Sequence, residues 1–139
     1  MAVRKSKMQE QVAESIKKTD PGARPVVTVY SVTGPTPWFT GSFGLLGQLF
    51  VKYYFITVTE QSVIIHGASV MTGRPTKVAH AIDRQEAKDM VSEVRRAKVY
   101  SSFRMRLPGQ AKPTRINVHR VWRPEMDRLL TELGTPTAA

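Results

Sequence analysis

The side chains best suited to metal ligation or proton transfer near neutral pH are three histidines, His66, His80 and His119. They fall in separate stretches of the chain, and none has a second histidine or a carboxylate at ligand spacing. Metal sites need several convergent donors. With no cysteine in the 139 residues, thiolate ligands and disulfides are excluded as well. Packing or solvation is therefore the expected state of all three rings. The carboxylates Asp83, Glu86, Asp89 and Glu93 are spaced like one helical face and interspersed with Lys88, Arg95 and Arg96. That pattern reads as a solvated face rather than a general acid/base pair. There is no G-x-S-x-G elbow and no P-loop, and Gly41, Gly44 and Gly47 lack the close glycine pair of a dinucleotide fingerprint. The expectation is a non-enzymatic protein with no cofactor and no metal.

What the composition does offer is positive charge. The chain carries a net charge of +10, with a pI of about 10.3. Between Arg74 and Arg123 stand 13 Lys/Arg against 4 Asp/Glu, whereas residues 124–139 hold Arg128 against Glu125, Asp127 and Glu132. A basic middle with a slightly acidic end favours an anionic partner or simply solubility. Arg95, Arg96, Lys98, Arg104, Arg106 and Arg115 form the candidate anion-binding stripe. Such a stripe can neutralise nucleic-acid phosphates, or meet anionic lipid at about 1 kcal/mol per basic residue. Tyr53, Tyr54 and Phe55 belong to a different hairpin and are not interleaved with these arginines, which weighs against base stacking.

A second candidate surface is apolar. Trp38, Phe39, Phe43, Leu45, Leu46, Leu49 and Phe50 lie in a glycine-rich stretch too thin in hydrophobes to span a bilayer. Two readings compete for it: a segment folded over one end of the core, or a loop that dips into a membrane or a partner's groove.

These candidates need elements to hold them. Phe103, Met105 and Leu107 alternate with Ser102, Arg104 and Arg106. After the loop Pro108–Pro113, Ile116 and Val118 alternate with Arg115, Asn117 and His119. Two such runs make an antiparallel hairpin with one dry and one wet face. Pro124, then Met126, Leu129, Leu130 and Leu133, then Gly134 give a helix with a start, an apolar stripe and a stop. Its stripe should lie on the hairpin's dry face, with Trp122 sealing the junction.

Earlier in the chain, Met8, Val12 and Ile16 set a thin helical stripe, so residues 8–18 should dock while the basic residues 1–7 fray. Val26 to Val32 is a strand, and 52–58 with 62–66 is the clearest hairpin, turning at Thr59-Glu60-Gln61. Val78, His80 and Ile82 should share one face of the next strand. From Asp83 to Lys98 the period alone reads as helix. A sheet needs another strand there, and the expectation is a turn or short helix near 84–89 followed by a strand to about 96.

This order of elements resembles the bacterial pleckstrin-homology-like (PH-like) domains. The resemblance is carried by Tyr53-Tyr54-Phe55-Ile56-Thr57-Val58-Thr59-Glu60-Gln61-Ser62-Val63-Ile64-Ile65, by Arg115-Ile116-Asn117-Val118-His119-Arg120, and by Gly34-Pro35-Thr36-Pro37-Trp38. It covers roughly residues 24–134. It implies a mainly β (α+β) fold, a partly open antiparallel barrel of six to seven strands capped by a C-terminal α-helix, and it implies binding rather than catalysis. The expected layout is a basic helical arm over 1–20, the β domain over 24–134 and a disordered tail over 135–139. The family's phosphoinositide site does not carry over, because residues 34–51 contain no Lys or Arg. The start Met-Ala-Val-Arg-Lys-Ser-Lys has no signal-peptide pattern. The expectation is a cytoplasmic adaptor, peripheral at the membrane in one version, that binds a protein partner or an anionic membrane surface. Alternatives are a nucleic-acid-associated accessory protein of phage or plasmid type, and a structural subunit of a larger assembly, including a homo-oligomer.

Overall fold

The computed structural model describes residues 2–33, 52–69, 72–110 and 112–134. In chain order these form α1 (Ala2–Thr19), β1 (Pro25–Thr33), β2 (Tyr53–Thr59), β3 (Ser62–Ala68), β4 (Pro75–Asp83) and the one-turn helix α2 (Arg84–Ala87). Then follow β5 (Val91–Arg95), β6 (Tyr100–Met105), β7 (Thr114–His119), a 3-10 turn (Arg120–Trp122) and α3 (Arg123–Glu132). All seven strands lie in one antiparallel sheet, ordered β4-β3-β2-β1-β7-β6-β5. The sheet is open, with β4 and β5 at its two edges. The mainly β, α+β layout with a helix at each end of the chain is as the sequence leads one to expect.

Local chemistry accounts for the joints. The β2–β3 turn is held by Thr59, whose hydroxyl accepts from the Ser62 N–H at 2.9 Å and the Gln61 N–H at 3.3 Å. Asp83 caps α2, its carboxylate accepting from the Gln85 N–H at 3.1 Å. That helix lasts one turn, and Val91–Arg95 then pairs with β6. A strand partner supplies backbone hydrogen bonds that the helical period of 83–94 has no way to announce. Gly134 has φ +73°, the left-handed residue that ends α3.

Alternation gives the sheet two faces. On the inner face, Val27 and Val29 of β1, Ile56 and Val58 of β2, Phe103 and Met105 of β6, and Ile116 and Val118 of β7 are buried with the α3 stripe of Met126, Leu129, Leu130 and Leu133. The outer face is divided. Over β1–β3, Phe55, Thr57, Ile64 and His66 are buried, with α1 laid across them and its Ser15 hydroxyl 3.3 Å from His66 Nε2. Over β6, by contrast, Arg104 stands in water.

Two expectations change. Helix α1 starts at Ala2, and Lys5 bonds to the Val121 carbonyl at 3.1 Å and to Glu125 at 3.0 Å. Lys5 of the basic start is tied down, because a lysine stem can lie along apolar surface while its ammonium finds the first turn of α3. Val78 does not share a face with His80 and Ile82. Ile65 pairs with His80 and His66 with Val78, a register shift that places one extra β4 residue between them. The bulge turns Val78 outward, leaving it 37% exposed.

Two outcomes follow from this packing. Ile16, fully buried on α1, should cost about 2–5 kcal/mol when replaced by alanine, read as a lower urea midpoint. A change below about 0.5 kcal/mol, the range of surface substitutions, would mean that α1 is a detachable arm. His66 is fully buried, and among the described residues its Nδ1 has no partner. Burial lowers its pKa from 6.5, so the unfolded chain takes up the proton more readily. The stability of the neutral ring is present above about pH 6.5 and is lost as pH falls below it. Melting temperature should drop between about pH 7.5 and 5, and His66→Gln should flatten that slope.

Candidate anion-binding face

The outer face of β5–β6–β7 is built by register. Arg104 pairs with Arg115, Ser102 with Asn117 and Tyr100 with His119 across β6 and β7. Paired residues share a face, so these six side chains form three rows. Next to them Arg95 of β5 pairs with Ser102, and Ser92 with Arg104. Three residues of β5 thus span two of β6, and the extra residue falls with Glu93 at φ +50°. A non-glycine side chain in the left-handed region costs roughly 1–2 kcal/mol. The bulge brings the Glu93 carboxylate into an ion pair with Arg104. Both partners are largely exposed, so the pair is worth at most about 1 kcal/mol.

Arg95, Arg104 and Arg115 line a shallow cleft of about 130 Å³ floored by Ser102, and Glu93 is its only acidic lining residue. Arg115 is oriented from below, its Nε donating to Asn117 Oδ1 at 3.2 Å. Asn117, 1% exposed, in turn donates from Nδ2 to the Val32 carbonyl at 3.1 Å. Three guanidinium groups around one hydroxyl, with a single carboxylate between them, make a cluster suited to phosphate oxygens.

The remaining arginines of the stripe have other surroundings. Arg96 pairs with Asp127 of α3, tying the β5–β6 corner to the closing helix. Lys98 sits exposed in the β5–β6 turn, and Arg106 is exposed just beyond β6. Trp38, Phe39, Phe43, Leu45, Leu46, Leu49 and Phe50, and the segment 34–38, lie outside the described residues. Among the described residues no group of three His, Cys, Asp or Glu is placed to hold a metal ion. No described helix is long and apolar enough to cross a membrane.

Adjoining the arginine rows is a cluster that sequence reasoning missed. Strand order sets β1 beside β7, so Tyr30 and Tyr53 come next to Tyr100 and His119. Tyr30 stacks on Tyr53 with ring centres 6.0 Å apart and lies 6.2 Å from Trp122, and Tyr100 meets His119 edge-on at 5.2 Å. Tyr30, Tyr100, His119 and Trp122 line a cleft of about 230 Å³, with Lys5 held 5.6 Å over the Trp122 ring. Burial, and then the neighbouring Tyr53, raise the Tyr100 phenol above its ordinary pKa of 10.0, so it remains a neutral hydroxyl. His119 Nδ1 accepts from the Val121 N–H at 3.1 Å, which in the neutral ring leaves the proton on Nε2. The aromatic rings were in plain view in the sequence. The β1–β7 seam that gathers them was not, since it joins residues some 85 positions apart.

Comparison with family models, with curated proteins and with solved structures finds no match for this chain.

Glu93 is the negative group inside the basic cluster, and its backbone is strained. Glu93→Gly should leave stability within about 1 kcal/mol of the parent, since relief of the left-handed strain offsets the lost ion pair and the flexibility of glycine. It should strengthen binding of a polyanion about fivefold, equivalent to roughly 1 kcal/mol, in a titration at low salt.

Proposed function

We propose that this protein is a non-enzymatic, PH-like interaction module that holds a phosphate-bearing polyanion against the outer face of β5–β6–β7. The observation that carries this reading is the convergence of Arg95, Arg104 and Arg115 around Ser102 with Glu93 as the only acid. Support for the PH-like character is a pair of antiparallel meanders, β1–β4 and β5–β7, joined β1 to β7 in one sheet, with a helix following the last strand. The binding character rests on a surface charge that the fold leaves in water. Arg104 is exposed, and its strand is anchored from beneath by a packed inner face. Phosphate is the natural ligand of such a cluster, because guanidinium groups match its oxygens in bidentate geometry. Adaptor and membrane-surface roles are versions of the same contact, with the phosphates belonging to a partner or to lipid headgroups.

The test is a titration at several salt concentrations against short duplex DNA, anionic liposomes and neutral liposomes. The parent should bind the anionic probes and ignore neutral liposomes. Replacing Arg104 and Arg115 with alanine should weaken binding to duplex DNA at least tenfold and reduce the salt slope by about 2. Equal binding by parent and variant, or retention on neutral liposomes, would overturn the reading.

A further inference from the structure

The arginine cluster says where phosphates would sit but not what they are attached to. The cleft beside it does. Along β6 the outward side chains run Tyr100, Ser102, Arg104, and along β7 they run His119, Asn117, Arg115. Alternate residues of a strand are about 6.6–6.8 Å apart. The aromatic row therefore stands about 13 Å from the arginine row, within reach of a few linked residues of one polymer.

The cleft itself is lined by four rings, by Met8 and Val121, and by one cation. The open cleft has a volume of about 230 Å³, below the roughly 300–1,000 Å³ of sites for drug-sized ligands. Its size suits one planar ring system. Lys5 stands at its rim, its ammonium held by Glu125 and the Val121 carbonyl. A lipid headgroup has phosphate but no planar ring to fill such a cleft. A duplex buries its bases in the stack. An unpaired nucleotide offers both parts, a π-face for the rings and phosphates for the guanidiniums.

The geometry points to single-stranded nucleic acid as the ligand of this face, one base entering the Tyr30–Tyr100–His119–Trp122 cleft while neighbouring phosphates lie over Arg95, Arg104 and Arg115. This rests on the polyanion reading above and names its ligand. It also reverses the expectation drawn from spacing along the chain, because aromatic and basic residues that are separate in sequence become contiguous across the β1–β7 seam.

The experiment uses the full chain and a labelled oligonucleotide of about 12 residues, within the range covered by one binding fold. Inorganic polyphosphate, the matching duplex, anionic liposomes and a free mononucleotide serve as competitors. A parallel measurement follows Trp122 fluorescence in a Trp38→Phe background, which leaves Trp122 as the one tryptophan. The expected result is that the single strand binds at least tenfold tighter than polyphosphate and duplex, and quenches Trp122. Tyr100→Ala should lose about 5- to 150-fold in affinity, while Tyr100→Phe, which keeps the ring, should retain it. Should single strand and polyphosphate bind alike, with Trp122 unquenched, the ring contact is refuted while the polyanion reading stands. Should none of the anionic probes bind, both fall. Anionic liposomes displacing the strand from the parent at lower phosphate concentration would transfer the face to lipid. A mononucleotide that binds as tightly as the strand would overturn the polymer in favour of a soluble nucleotide.

Discussion

Much of this structure hangs on one buried amide. Strand β1 is paired with β2 along most of its length and, among the described residues, meets β7 at Val32 and Thr33. At that seam Asn117 donates to the Val32 carbonyl while accepting from Arg115. An amide left unsatisfied at such a depth costs about 1–3 kcal/mol, so the seam is specific. It joins the β1–β4 half of the sheet to the β5–β7 half, and in doing so sets tyrosines beside arginines. The same side chain that closes the sheet orients a guanidinium on its surface.

The two helices then decide which surface remains. Helix α3 fills the inner face with Met126, Leu129, Leu130 and Leu133. Helix α1 lies on the opposite side, where Val12 and Ile16 are fully buried, and covers the outer face above β1–β3. Lys5 links the two, bonded to the start of α3 and poised over Trp122. The part of the outer face that α1 does not reach is the part that carries Arg104 and Arg115. The candidate site is thus defined by the extent of a helix that contributes none of the site's arginines.

Charge divides along similar lines. Arg84 bonds to the Thr59 carbonyl and to Glu132, Arg96 pairs with Asp127, and Arg123 donates to the Ala97 carbonyl. These three hold corners and helix ends together. A count of basic residues along the chain overstates the surface available to a ligand, because guanidinium groups serve equally well as clamps on carbonyls and carboxylates.

The sequence by itself determined the elements and their faces. Alternation marked Phe103, Met105, Ile116 and Val118 as inward, and a three-four spacing marked the α3 stripe, because both patterns arise from local backbone geometry. The same logic found Met8, Val12 and Ile16, and it placed Arg104 and Arg115 outward before their strands were known to pair. The strand over Val91–Arg95 was legible only through the need of a sheet for another member, since its own period is helical. What the tertiary structure decided is everything that depends on register between distant strands. A bulge at Glu93 and another opposite Ile65 and His66 re-aimed side chains that simple alternation misplaces. The meeting of Tyr30, Tyr100, His119 and Trp122 was likewise beyond any pattern along the chain. Periodicity records how a residue faces relative to its neighbours in sequence, whereas an inserted residue in one strand, or the pairing of a first strand with a last, is fixed by packing and hydrogen bonds across the sheet.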